Sequence, residues 1–181
     1  MTLNIITSNI GKYKEFSEIL EKYDIKTNFI HQEYLEIQAD NTEEVVKFGL
    51  LTLSEKYDNF IIDDSGLFID FLSGFPGVYS SYVFKTLGNN KILKLLENAE
   101  NRDAYFKTVI GLSRSHEFYY FTGICKGSIA KEPRGNNGFG YDPIFIPKNE
   151  KRTFAELDIH EKNRISHRGL AIMGLIKFLK L

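Results

Sequence analysis

The segment Phe60-Ile61-Ile62-Asp63-Asp64-Ser65-Gly66 runs three apolar residues into two adjacent carboxylates and a Ser-Gly pair. The apolar run reads as a short buried strand. Side chains alternate across a strand, so Asp63 and Asp64 face opposite ways. One can point into a cleft while the other supports it. A carboxylate fixed at a strand end suits a hard-metal ligand or a general base. The alternative is a strand ending in a solvated turn, where Asp and Gly are common.

Other segments carry residues with chemical potential. Thr7-Ser8-Asn9-Ile10-Gly11-Lys12 lies where a strand meets a helix. Helix N-terminal N–H groups, a flexible glycine and a lysine make an anion site. It is not a Walker A loop, because Ile6 stands at the first glycine and Tyr13 at the Ser/Thr position. The plainer reading is a βα turn capped by Asn9, with a surface Lys12–Glu15 pair. Glu36-Ile37-Gln38 places an acidic residue in a loop, either a ligand or solvated. In Arg134-Gly135-Asn136-Asn137-Gly138-Phe139-Gly140-Tyr141-Asp142-Pro143 the glycines permit close backbone approach to a ligand. Phe139 or Tyr141 can stack on a flat base, and Asp142 can read a donor edge; otherwise the aromatics belong to the core. Glu161-Lys162-Asn163-Arg164-Ile165-Ser166-His167-Arg168-Gly169 concentrates cations, with His167 able to titrate and Ser166 placed to cap a final helix. Its alternative is a solvated helix junction.

Several chemistries find no support. The 4 histidines lack i,i+4 pairing and neighbouring cysteines, so no zinc motif is present. There is no Gly-x-Ser-x-Gly elbow and no complete dinucleotide fingerprint. A formal net charge of -1 over 181 residues gives no global attraction to nucleic acid or anionic membrane. An anionic ligand must therefore be held by a local cluster of cations. The lone Cys125 excludes an internal disulfide and agrees with a cytoplasmic setting, as does the lack of a signal-like N-terminus. The uncharged stretch from Phe71 is too short and too interrupted to span a bilayer.

The elements that must position these residues follow from periodicity. Leu3 to Thr7 and Lys26 to His31 read as strands, and Gly11 to Tyr23 as a helix with Phe16, Ile19, Leu20 and Tyr23 on one face. Thr42 is the expected N-cap of a helix over Glu43 to Tyr57. Gly74 to Gly77 is a turn, Lys91 to Leu96 a helix, and Ala104 to Ser113 and Glu117 to Ile129 are strands joined at Ser115-His116. Ile144 to Ile146 is a short strand. A C-terminal helix turns Leu170, Met173, Ile176, Phe178 and Leu179 largely inward. This order argues for a single α/β domain with a mixed sheet.

With these segments in order, the chain resembles the inosine triphosphate pyrophosphatase (Ham1) family over nearly its whole length. The matching motifs are Thr7 to Lys12, Asp63 to Leu67, Gly74 to Gly77, Gly138 to Pro143 and Ser166 to Arg168. Gly74 to Val83 and Thr153 to Glu156 look most like archaeal members. The resemblance implies a long central mixed sheet, helices on both sides, two lobes around a cleft, and a homodimer. It implies Mg²⁺-dependent hydrolysis of ITP, dITP and XTP to the monophosphate and pyrophosphate. It matches Asp64 to the catalytic carboxylate and metal ligand, and Glu36 to a second metal ligand. Thr7, Ser8, Asn9, Ile10, Gly11, Lys12 and Ser65 match phosphate-side contacts. Phe139, Gly140, Tyr141, Asp142, Lys162, His167 and Arg168 match substrate and base contacts. One departure stands out. Bacterial and eukaryotic members carry a lysine in the helix before the Asp-Asp strand, where this chain reads Phe48-Gly49-Leu50-Leu51-Thr52 with Lys47 displaced. Lys12 or a water is the candidate to cover that charge. The competing expectations are an orthophosphate-releasing relative, a pyrimidine-directed pyrophosphatase and a non-catalytic nucleotide sensor.

Overall fold

The computed structural model describes residues 2–180. In chain order it contains β1 (Thr2–Ile6), α1 (Ile10–Glu21), β2 (Lys26–Ile30), α2 (Thr42–Leu53), β3 (Phe60–Ile69) and β4 (Pro76–Gly77). Then come α3 (Ser80–Leu95), β5 (Asp103–Arg114), β6 (Glu117–Ile129), β7 (Phe145–Pro147), α4 (Ile159–Ile165) and α5 (His167–Leu179). One mixed sheet runs β2-β1-β3-β5-β6-β7, with β4 beside β3. The α/β mixed sheet is therefore as the sequence implies.

The strand β3 does not end at its carboxylates. It continues through Asp63-Asp64-Ser65-Gly66 to Ile69, paired along its whole length with antiparallel β5. Only the other edge is interrupted. Parallel β1 pairs at Phe60 and Ile61, and β4 pairs at Leu67 and Phe68. Between them no described strand pairs with that edge, so the sheet has a gap beside Asp63 and Asp64. Gly66 permits this arrangement: a Cβ there would collide with the Gly77 carbonyl, so only glycine lets β4 close in.

The register sorts side chains onto two faces. Asp63 lies opposite Ile110 and Ser65 opposite Thr108, on the face packed by α1 and α5. Asp64 lies opposite Val109 and Gly66 opposite Lys107, on the face where Ile62, Val109 and Gly111 meet Val46 and Leu50 of α2. A third cluster, with Leu67, Ile69, Phe106, Tyr141, Phe145 and Phe154, fills the far half of the sheet beneath α3.

Local chemistry explains three differences from the sequence expectation. Asn41, not Thr42, caps α2, its side chain accepting from the Glu44 N–H at 2.9 Å. The α3 segment begins at Ser80 and is broken at Gly88, where φ is 66°; its first half lay hidden in a Gly-, Pro- and Ser-rich run. In α5 the buried stripe is Ala171, Ile172, Leu175 and Ile176, while Leu170 is exposed. The Ser166 cap is as expected, with its hydroxyl accepting from Gly169 N–H at 3.1 Å. The Ser115-His116 turn is also as expected: both residues have positive φ, as a two-residue hairpin requires.

Candidate active site

On the α1/α5 face, six charged side chains form a connected buried network. Lys12 Nζ sits 3.2 Å from Asp63 Oδ2. Arg168 lies 3.4 Å from the same carboxylate and also bonds Glu15. Lys162 Nζ bridges Glu15 and Asp142 at 2.6 Å each. Three cations meet three carboxylates, so the cluster can be neutral although five of its members, all but Lys12, are nearly dry. Removing one partner from such a network strands a charge. The Lys12–Glu15 surface pair read from the sequence is not formed; Lys12 turns to Asp63 and Glu15 is buried beneath Lys162 and Arg168. These two cations are thus committed partners rather than solvated ones.

Electrostatics within the cluster follow from burial against these pairings. Burial would raise the Glu15 and Asp63 carboxyls, yet Arg168 and Lys162 hold Glu15 below its ordinary range, and Lys12 and Arg168 hold Asp63 below its own. Burial pushes Asp142 up, with only partial relief from Lys162. Burial and the neighbouring Arg168, Lys162 and Lys12 push His167 well below the ordinary imidazole value. His167 is therefore neutral, not the titrating cation its sequence context implied. It stacks on Phe106 at 4.4 Å and leaves Nδ1 without a partner.

The other face carries Asp64. Its Oδ2 is buried and has no hydrogen-bond partner. Burial raises its carboxyl to about 7; Lys12 opposes the rise, and Glu36 and Asp63 add to it. Asp64 lines a cleft of about 400 Å³ with Glu36, Ile37, Gln38, Val45, Val78, Tyr79, Ser81 and Tyr82. A carboxyl raised by burial and by a second carboxylate lining the same cleft, with one orphaned oxygen, is suited to share a divalent cation with that neighbour. A larger open hollow of about 600 Å³ lies by Asp70, Lys126 and Lys148 at the far end of the sheet. None of the residues with orphaned buried polar atoms lines it.

The two faces communicate through the gap beside β3. There the Asp63 carbonyl, which no strand takes up, accepts from Lys12 Nζ and from the Tyr34 hydroxyl, each at 3.2 Å. The Thr7–Lys12 loop ends β1 at this opening. Thr7 accepts from Asn9 N–H at 3.1 Å, and Asn9 accepts from the N–H groups of Gly11 at 2.9 Å and Lys12 at 3.2 Å. Asn9 is thus the cap that the plainer reading named. Ser8 and Ile10 are exposed at the loop's rim.

Phe139 is half-buried against the loop; a Cβ on Gly11 would come within 2.6 Å of its ring. Lys162 Nζ lies 5.0 Å and Arg168 5.7 Å from the ring centre. Asp142 fixes this segment by accepting the Phe139 N–H at 2.8 Å. Gly140 turns at φ 62° and offers its carbonyl to Asn89. Tyr141, by contrast, is a core residue: it packs edge-on against Phe84, and its hydroxyl donates to the Ser80 carbonyl at 2.9 Å. The structure therefore brings together Thr7 to Lys12, Asp63 to Ser65, Phe139, Asp142, Lys162 and Arg168. It sets Tyr141 apart and puts Glu36 on the Asp64 face. Sequence reading missed Tyr34, whose loop carried no signal, and the burial of Glu15, whose spacing from Lys12 misled.

Comparison with known proteins identifies the family. The Ham1 family profile matches residues 3–178. A Pyrococcus horikoshii protein named dITP/XTP pyrophosphatase is 50% identical over 182 residues, covering 100% of this chain and 98% of its own. A Methanopyrus kandleri protein of the same name is 48% identical, covering 99% and 97%. The Staphylococcus aureus Ham1 structure superposes with a TM-score of 0.79 at 33% identity, covering 98% of both chains. By profile, by relatives and by fold, this chain belongs to the Ham1 family.

Proposed function

We propose that the chain hydrolyses deaminated purine nucleoside triphosphates (ITP, dITP and XTP) to the monophosphate and pyrophosphate. The observation that carries this reading is the buried, unpartnered Asp64 oxygen facing a cleft shared with Glu36. Relatives named dITP/XTP pyrophosphatase support the substrate class.

In this reading Asp64 and Glu36 hold Mg²⁺, which when bound offsets phosphate charge and polarises the reacting group. Asp64 orients or deprotonates the water that attacks the α-phosphorus. The bond from that phosphorus to the bridging oxygen breaks, and pyrophosphate leaves. Lys12, at the gap, reaches the phosphate chain from the other face; Thr7 to Gly11 and Ser65 line its path. Phe139 offers a stacking surface, and Lys162, His167 and Arg168 lie at the base end. Donors aimed at a purine O6 penalise adenine, whose amino group leaves them unpaired. Each such mismatch costs about 1–3 kcal/mol, so two give about a hundredfold discrimination. Asp142 acts by holding Phe139 and Lys162, and Tyr141 by anchoring the segment from the core.

The same reading takes the chain as a two-lobed single domain that forms a homodimer in the cytoplasm and does not bind nucleic acid. Exposed Tyr79 and Tyr82 on the cleft wall, with exposed Phe71 and Phe75 in the segment that precedes it in the chain, support an interface. No helix among the described residues is long and apolar enough to cross a membrane.

The test is product analysis with ITP, XTP, dITP, ATP and GTP in Mg²⁺, assaying pyrophosphate and orthophosphate separately. Pyrophosphate with IMP, and little turnover of ATP or GTP, is expected. Orthophosphate release, or equal use of ATP, would overturn the reading.

A further inference from the structure

The Asp64 cleft presents an electrostatic problem. Its lining holds two carboxylates, Glu36 and Asp64, and no lysine or arginine. A triphosphate brings close to four negative charges, more than one divalent cation and Lys12 offset. The α5-face cations Lys162 and Arg168 are buried at 4% and 2% side-chain exposure and already committed to carboxylates. A further cation is needed on the Asp64 face.

The sheet register supplies one. Lys107 stands opposite Gly66, the position that follows Asp64 on the same face. Diagonal cross-strand neighbours lie about 7–8 Å apart, within reach of a long side chain. Lys107 is partly exposed at 19%, and its Nζ contacts Glu43 at 2.7 Å, a carboxylate 44% exposed in the first turn of α2. Val45, one residue beyond that turn's acidic pair, lines the cleft. A half-exposed acidic partner is a weak anchor, and a flexible four-carbon stem lets the ammonium swing from Glu43 toward a stronger anion.

We propose that Lys107 binds the terminal phosphates of the substrate, the part that leaves as pyrophosphate, by exchanging Glu43 for phosphate oxygen when the cleft fills. This rests on the pyrophosphatase reading above. It places the charge on β5, not on the helix preceding β3, where this chain has Phe48.

The experiment compares wild type, Lys107→Met, Lys107→Arg and Glu43→Gln with ITP and Mg²⁺, measuring kcat and KM by pyrophosphate release, inhibition by pyrophosphate and by IMP, and thermal melting. If wild type releases no pyrophosphate, the parent reading fails before Lys107 is at issue. With an active wild type, Lys107→Met is expected to lose about tenfold or more in kcat/KM and to weaken pyrophosphate inhibition by a similar factor. IMP, which lacks those phosphates, is expected to inhibit both equally. Lys107→Arg restores most of the loss. Glu43→Gln breaks the same ion pair yet is expected to keep kcat/KM or raise it, because it frees the lysine. The proposal is overturned if Lys107→Met matches wild type, if it weakens IMP as much as pyrophosphate, or if Glu43→Gln loses as much as Lys107→Met. The last result would show the pair to be a structural tie.

Discussion

Asp64 stores a cost that its environment explains. Its carboxyl is raised from 3.8 to about 7. The folded state therefore holds a proton that the unfolded state has released between those values, and stability falls as pH rises through that window. A three-unit shift is worth on the order of 4 kcal/mol above neutrality. Asp64→Asn is therefore expected to melt several degrees higher than wild type at pH 8 in chelator, while losing turnover by about a hundredfold or more. A melting point at or below wild type would show that the carboxylate is better solvated than its burial implies. His167 gives the opposite sign. It is neutral when folded and has an ordinary value of 6.5 when unfolded, so stability is lost as pH falls below that value. The urea midpoint is expected to drop more steeply between pH 6.5 and 5 in wild type than in His167→Phe; equal slopes would place the acid sensitivity elsewhere.

Elements matter here through what they leave open. A parallel strand on one half of β3 and a two-residue strand on the other create the gap through which both faces reach the carboxylates. Gly66 is the condition for the second. Gly66→Ala forces β4 away from β3, at about 1–3 kcal/mol, and shifts Val78 to Tyr82, the cleft's outer wall. The expected result is a melting point lower by several degrees together with a raised KM. A wild-type KM in the destabilised variant would mean that the wall does not touch substrate. Glu15 works at the same scale: from α1 it ties Lys162 of α4 to Arg168 of α5, so three helices share one buried set of charges.

At the scale of the molecule, a ligand that spans the gap touches α1, the Phe139 segment and the α2 face at once. Binding stabilises only the state that binds. A slowly hydrolysed ITP analogue with Mg²⁺, at about a hundred times its dissociation constant, is expected to raise the melting point by about 5–10 °C. The nucleotide in chelator is expected to do much less. Equal shifts with and without Mg²⁺ would remove Asp64 and Glu36 from the metal role.

Much of this was legible in the sequence because it depends on short-range rules. Strand alternation alone separated Asp63 from Asp64, hydrophobic spacing found most of the elements, and the order of five short motifs pointed to the family. What the chain could not reveal by itself depends on contacts across long sequence separations. Whether Glu15 faces water or Arg168, 153 positions away, is decided by how α5 packs on α1. Whether His167 titrates is decided by the aromatic rings and cations around it. Tyr141 looked like a base-stacking residue until the far core claimed its ring. Lys107 falls within the strand expected over Ala104 to Ser113, but only the register sets it opposite Gly66, two positions from Asp64. Local periodicity fixes which residues share a face; only the folded sheet decides which faces meet, and with them which charges are paired, dry or free to bind.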